Sequence, residues 1–312
     1  MFDLHRLRLL RELKHRGTLA AVADALSYAP SSVSHQLSQL EAEVGVPLLE
    51  PVGRRVRLTE QAEILVVHTE AVLERLERAE ADIAASASDL TGTLRIASFQ
   101  TAALALIPTA LGLLHDLHPR LRVHVTQREP EQALPALQAR DFDLVLAEEY
   151  PGHPNPRPTG LEQEDLLDDP LYLAPPHHKQ PAETGSAVKA LRALAHYPWV
   201  MEPEGTAARQ WAMTLCREAG FEPDVRFEST DLLLHLRLVE QDHAAAFLPG
   251  LVWNGRPPTV PLRQLPGGRR TRRIFTVVRR GASRHPAIQA CQDALRQAAT
   301  LPLGQTRKGR TA

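Results

Sequence analysis

Cysteine is scarce in this chain, and the two present, Cys216 and Cys291, lie far apart. A disulfide framework is therefore not expected, and a reducing cytoplasm fits. No stretch approaches the roughly 18 consecutive apolar residues a membrane-spanning helix needs. The opening MFDLHRLRLL is too polar for a secretory leader. No glycine-rich phosphate loop, serine elbow or Cys–His–Asn signature occurs, so an enzyme is not expected. The 14 histidines do not gather at ligand spacing. His177 and His178 are adjacent and would point to opposite faces of a strand, while His115, His118 and His124 fit helix-end and strand positions. No metal or other cofactor is expected. There is no internal repeat and no excess of one charge, the net being −1. Attraction to nucleic acid must then come from local clusters.

What is present is a chain of 312 residues, 43% apolar, long enough for two or three domains with a substantial core. Its most ordered stretch is residues 17 to 60. Thr18 is a good N-cap, followed by Leu19, Val22, Ala23 and Leu26 at helical spacing. A second helix enters through Pro30 and buries Val33, Leu37, Leu40 and Val44, with Gly45 ending it. The opposite face turns Ser31, His35, Ser38 and Gln39 outward, with Ser34 on its flank. Small or planar hydrogen-bonding groups of that kind suit a helix lying in a major groove. Arg54, Arg55 and Arg57 alternate with Val56 and Leu58 after Gly53, the pattern of a hairpin presenting basic side chains to phosphates or a minor groove. The pattern predicts a winged helix-turn-helix, with Thr18, Pro30, Ser31, Ser32, Ser34, His35, Ser38, Arg54, Arg55 and Arg57 as the candidate DNA-contacting set. Arg6, Arg8, Arg11, Lys14 and Arg16 crowd a first helix over residues 3 to 16 and are expected to add counter-ion release.

The strings TLAAVADAL, SSVSHQLSQLEAEVGVPLLE and GRRVRLTEQAEIL make residues 4 to 65 resemble the DNA-binding domain of LysR-type transcriptional regulators. Many members carry a polar residue where Ala29 stands and a basic one where His35 stands, which shifts weight to the wing arginines. The resemblance implies double-stranded promoter DNA as partner, a small-molecule effector, a tetramer built from dimers and an encounter with RNA polymerase.

Thr59 can cap a long helix that runs to about Ala87 without Pro or Gly. Ala62, Leu65, Thr69, Val72, Leu76, Ala79, Ile83 and Ser86 recur at steps of three and four, a heptad seam expected to pair two copies. Packing against the domain body is the alternative. From residue 93 apolar strands (93–98, 122–127, 143–147, 171–174, 199–201, 225–229, 245–249, 274–278) alternate with helical patterns (102–116, 130–140, 205–219, 230–241, 285–299), predicting parallel α/β units. Pro151, Pro154, Pro156 and Pro158 stiffen a loop before a crossing near residue 164, and Gly267 and Gly268 mark the return.

The expected fold is thus α/β with an all-α N-terminal head. It comprises a winged helix-turn-helix (1–58), a linker helix (59–89) and a two-lobed effector domain (90–301) resembling periplasmic solute-binding proteins. Lobe I takes 93–163 and 268–301, lobe II 164–267, and residues 302–312 form a tail without periodic apolar pattern. A periplasmic-type solute-binding protein is the competing reading; it predicts a secretory leader and no DNA head, and neither prediction is met.

Ligands of open α/β lobes lie beyond the carboxyl ends of strands. That rule selects Ser98, Phe99, Gln100, Thr101, Arg128, Glu148, Glu149, Met201, Glu202, Ser229, Thr230 and Phe247 as effector-binding candidates. A helix start and Arg128 suit a carboxylate, while Glu148, Glu149 and Glu202 suit an ammonium. An amino-acid-like effector is the expectation. Cys216 reads as a packed small hydrophobe.

Overall fold

The computed structural model describes residues 1–26, 28–53, 55–87, 89–154, 160–176, 186–268 and 270–300, Arg55 by its backbone alone. Arg54, the Arg55 side chain, Pro156, Pro158, His177, His178 and the 302–312 tail lie outside the described residues.

The head packs α1 (Leu4–Arg16), α2 (Leu19–Leu26) and α3 (Pro30–Val44) around Leu9, Leu10, Leu13, Val22, Val33, Leu37 and Leu40. Burying each such side chain contributes about 1.5–3 kcal/mol. Thr18 caps α2 by accepting from the Ala21 amide at 3.1 Å. Gly45 stops α3 in the left-handed region at φ 79°, where a side chain would be strained. The wing follows as β1 (Leu49–Val52) paired antiparallel with β2 (Arg55–Leu58). Thr59 then caps α4 (Glu60–Ala85), accepting from the Ala62 amide at 3.2 Å.

The expected seam of α4 divides. Ala62 and Thr69 are buried within the chain, whereas Val72, Leu76 and Ile83 face outward. The buried stripe against the body is instead Ala62, Val66, Thr69, Leu73, Glu77 and Ala81.

Beyond α4 come β3 (Gly92–Ser98), α5 (Gln100–Ala105), α6 (Ile107–Leu117), β4 (Leu121–Gln127), α7 (Pro130–Gln138), β5 (Leu144–Glu149), β6 (Leu161–Ala174), α8 (Ala187–Arg192) and β7 (Pro198–Met201). They are followed by α9 (Ala207–Glu218), β8 (Asp224–Glu228), α10 (Leu232–Glu240), β9 (Ala246–Pro249), β10 (Arg270–Arg279) and α11 (Pro286–Thr300). A six-stranded sheet runs β4-β3-β5-β10-β6-β9. Its β3, β4 and β5 are parallel as expected, but β10 is antiparallel to both β5 and β6, and β6 to β9. The expected parallel units hold for β3, β4 and β5; β10 and β6 depart from them because they are the strands on which the chain crosses between lobes.

The alternation of β5 and β10 feeds two cores. Leu144, Leu146, Ile274 and Val278 face α6 and α11, while Val145, Ala147, Phe275 and Val277 face α7. Lobe II is built on the parallel pair β7–β8, joined to β9 by a bridge from Trp199 to Ala245.

The single helix expected over 102–116 is two, because Pro108 starts a new helix after Leu106. The first two-thirds of β6, LEQEDLLDDP, had no strand signature. Its acidic run is matched across the ladder by the basic run of β10: Arg272 lies opposite Asp169, and Arg273 opposite Asp168.

The head is fixed to the effector domain by ions. Arg16 bonds Asp141 at 2.8 Å and Glu12 at 2.9 Å. Arg11 pairs with Glu12 at 2.8 Å and donates to the Gln138 carbonyl. On α4, Glu77 accepts from Arg140 at 2.9 Å and from Arg279 at 2.5 Å. Arg6 holds Gln36 and Glu43 of α3, and Lys14 holds Glu63 of α4. The expectation that the α1 cations serve DNA is therefore corrected for Arg6, Arg11, Lys14 and Arg16, which are spent on internal pairs. Arg8 is exposed.

Candidate nucleic-acid interface and effector cleft

Two sites emerge, at opposite ends of the chain. On α3 the buried Val33, Leu37 and Leu40 fix the helix, so Ser31, Ser32, Ser34, His35 and Ser38 are all exposed on its free side. Pro30 occupies the first turn, and no side chain caps the helix start at Ala29. Its first amides are thus available to a phosphate oxygen. His35 Nε2 lies 3.0 Å from the Gln39 amide nitrogen, which sets the imidazole and the side-chain amide on one face. Thr18 is half-buried with its hydroxyl engaged in the α2 cap, so it shapes this surface from behind. In the wing, Arg57 stands directly across from Glu50 and bonds it at 2.7 Å through Nε, yet its side chain is still 72% exposed.

The second site lies between the lobes. Tyr150 and Met201, at the ends of β5 and β7, meet Glu202, Trp211 and His235 of lobe II and Phe247 of β9 around a cavity of about 30 Å³. That is room for about two waters. Trp211 packs on Tyr150 and Phe247 with ring centroids 5.4 and 5.3 Å apart. Two side chains close the lobes over this space. The Gln100 side-chain oxygen accepts from the Leu232 amide at 2.7 Å, and its amide reaches Asp231. Glu131 of α7 accepts from the Ala207 amide at the start of α9, 3.0 Å away.

Behind the cavity sits Arg272, fully buried. It bonds Asp169 at 2.9 and 2.8 Å, Thr101 at 2.6 Å and Glu148, and lies over the Phe99 ring at 5.2 Å. Burial works against its charge, but Glu148 and Asp169 hold the guanidinium above its ordinary pKa. Around this one cation stand Glu148, Asp169, Glu202 and Glu129. Burial pushes Glu129 up to about 7, with Glu148 and Glu131 adding to the rise. Burial, then Glu148 and Glu129, drives Glu202 well above the carboxylate range. His235 places Nε2 2.8 Å from the Ser229 carbonyl, so that nitrogen carries the proton and Nδ1 holds the lone pair. Burial lowers its pKa to about 4.

The strand-end residues thus fall into groups. Met201, Glu202 and Phe247 line the cavity, Gln100 clasps it, and Thr101, Glu148 and Phe99 surround Arg272. Ser98 is buried, with its hydroxyl donating to the Phe99 carbonyl, and Ser229 braces the start of α10 through the Asp231 amide. Thr230 is half-buried beside it. Glu149 is paired with Arg273 at 2.9 Å and borders a different groove, with Tyr150, Pro151 and Arg270. Arg128 is not brought to the cleft: its guanidinium lies 5.7 Å over the ring of Phe142, on the α7 side of the sheet. Tyr150, Trp211, His235 and Arg272 are missing from the sequence-based set. Tyr150 stands one position beyond the strand-end window, while the others sit inside elements and reach the cleft only through tertiary packing.

Comparison with known proteins matches both regions. Residues 4–63 fit the family profile described as "Bacterial regulatory helix-turn-helix protein, lysR family", and residues 87–300 the one described as "LysR substrate binding domain". The chain is 28% identical over 251 residues to the transcriptional dual regulator GltC of Bacillus subtilis, covering 79% of this chain and 80% of that one. It is 27% identical over 252 residues to the DNA-binding transcriptional dual regulator OxyR of Escherichia coli, covering 80% and 78%. Among solved structures, a full-length OxyR variant from Pseudomonas aeruginosa shares the fold at a TM-score of 0.67 and 20% identity, over 98% of this chain and 99% of that one. CbnR, a LysR family transcriptional regulator solved with its target DNA, matches at 0.52 and 23% identity, over 96% and 100%.

Proposed function

Because the chain belongs to the LysR family of DNA-binding transcriptional regulators, we propose that α3 reads a major groove through Ser31, Ser32, Ser34, His35 and Ser38. Pro30 and the open helix start contact a backbone phosphate, Thr18 braces α2 beneath them, and Arg54, Arg55 and Arg57 of the wing take phosphates or the minor groove. The observation that carries this reading is the exposed serine and histidine face of α3, held rigid by three buried residues on its other side. Residues 1–58 form the reading head, 59–89 the linker and 90–301 the effector domain, in lobes of 93–163 with 268–301 and of 164–267. The outward Val72, Leu76 and Ile83 of α4 support a homodimer through that helix. Family membership supports a tetramer of such dimers, a cytoplasmic place of action and contact with RNA polymerase. The Glu202 cavity, between two lobes clasped by Gln100 and Glu131, takes the effector, and its occupancy shifts the balance between lobe arrangements.

Several relatives are hydrogen peroxide-inducible genes activators, yet thiol chemistry is not part of this reading. Cys216 and Cys291 are buried in the cores of different lobes, and burial pushes each up to about 12, the reverse of what a reactive thiolate needs.

The test is fluorescence anisotropy of the purified protein on the duplex upstream of its own start, from 50 to 200 mM salt. Specific binding that weakens by about 10³-fold over that range supports about six phosphate contacts. Equal affinity for every duplex, even in dilute buffer, removes the reading.

A further inference from the structure

The geometry points to a small organic ammonium as the effector: a protonated amine seated against the Glu202 carboxylate and walled by Tyr150, Trp211 and Phe247. Glu202 is 8% exposed and lines the cavity, and its carboxylate accepts no hydrogen bond among the described residues. Its surroundings favour the protonated form, and an ammonium seated against it would let it ionise. Trp211 is 3% exposed, and its indole N–H has no partner among the described residues, so an acceptor atom on the ligand would satisfy it.

The charges nearby choose the sign. Glu202 shares its surroundings with Glu148, Glu129 and Glu131, against one guanidinium, Arg272. Arg272 already serves Glu148, Asp169 and Thr101. Arg209 is held by Glu228 and the Glu202 carbonyl, both at 3.0 Å, and Arg128 lies over Phe142. An anion, or the carboxylate half of a zwitterion, therefore finds no uncommitted cation among the described residues of the cleft. This replaces the amino-acid-like expectation with a cationic one.

A metal ion fits less well, since no three acidic, histidine or cysteine side chains converge on one point among the described residues. The three aromatic rings add faces suited to an alkylammonium. The ligand class rests on taking this cleft as the effector site, which the experiment below keeps separate from DNA recognition.

The probe is ethylammonium, whose three heavy atoms need a slight parting of the lobes beyond the two-water cavity, compared with acetate and ethanol at matched ionic strength on the full-length protein. A ligand of so few atoms binds at millimolar concentration at best. Ethylammonium at ten times its Kd is expected to raise Tm by about 2–4 °C, while acetate and ethanol leave it unchanged. Calorimetry on Glu202→Gln, which keeps the shape but cannot ionise opposite the amine, is expected to show at least tenfold weaker binding.

The inference is overturned if acetate or ethanol stabilises as well as the amine, if none of the three binds, or if Glu202→Gln binds the amine undiminished. The comparison among probes on the unaltered protein decides the matter even where the variant fails to fold. DNA binding is measured on the same preparation without probe. Promoter binding with no amine binding sinks this inference alone, whereas amine binding without promoter binding upholds it and sinks the regulator reading.

Discussion

The side-chain oxygen of Gln100 accepts from the backbone amide of Leu232, 132 positions away, at 2.7 Å. One residue at the start of α5 thus caps the start of α10 and ties lobe I to lobe II. Glu131 repeats the device on α9. Both helix starts have an unpaired amide of their own, so a donor on one lobe and an acceptor on the other close the cleft without any new fold.

Removing that acceptor should be felt where it acts. In Gln100→Ala the Leu232 amide loses a bond worth about 1 kcal/mol, so its hydrogen exchange should quicken about fivefold. The Ala207 amide, held by Glu131, should quicken as well if the two clasps open together. Unchanged exchange at Leu232 would mean that the lobes are held elsewhere.

Glu129 should leave a mark on stability against pH. The folded protein keeps this proton to about pH 7, whereas an ordinary glutamate releases it near 4.5. Its favourable contribution is therefore complete below about 4.5 and lost as pH rises through about 7. Glu129→Gln, neutral throughout, should gain stability over the unaltered protein across that window, by about 2–3 kcal/mol at pH 8. His235 acts in the opposite sense, with stability lost as pH falls from about 6.5 towards 4, so the two denaturation curves must be subtracted.

Glu77 is the ion on which the long helix depends. It is 5% exposed and faces both Arg140 and Arg279. Glu77→Ala leaves two half-buried guanidinium groups facing each other and should cost about 2–3 kcal/mol, less than a fully buried pair because the arginines keep some water. Glu74→Ala, whose partner Arg78 is 48% exposed, should cost under about 1 kcal/mol. Urea denaturation of both variants checks the contrast.

Gly281 probes the same contact by shape. A Cβ there would lie 2.7 Å from the Glu74 carbonyl of α4, at φ 91°. Gly281→Ala must push the long helix away from the effector domain, at about 2 kcal/mol or more. Proteolysis within residues 74–85 should accelerate; an unchanged digest would show that the contact tolerates the methyl group.

DNA recognition separates into two effects. His35→Ala should cost about 1–3 kcal/mol on the preferred sequence and little on others. Arg57→Ala should weaken binding to all sequences alike and reduce the salt slope by about 1 per head. Anisotropy on matched and mismatched duplexes distinguishes them.

The head was legible because it is local: caps, a glycine stop and an apolar stripe lie within a few residues of one another, from Thr18 to Gly45. The strands β3, β4 and β5 were legible for the same reason. The acidic half of β6 was not, since only the arginines of β10, about a hundred positions later, turn Asp165, Asp168 and Asp169 into strand residues. The cleft was half legible. Strand ends named Glu202 and Phe247, but Trp211 and His235 face it from helices whose inward direction is set by lobe II packing, and Arg272 hides within a strand. The basic character of α1 misled because its partners Glu43, Glu63 and Asp141 lie on other elements.

Both lobes are strung on the same two ribbons, β6 and β10, and the register of that pair slips beside Ile274, two positions from Arg272. A change of angle between the lobes would need no strand to part, since twist in that short span can absorb it. Arg272 and Asp169 lie on that pair of strands, whereas the Gln100 and Glu131 clasps join helices of the two lobes away from it. An opening of the lobes would therefore break the bonds at the rim first, with the ionic knot on the shared strands still fastened.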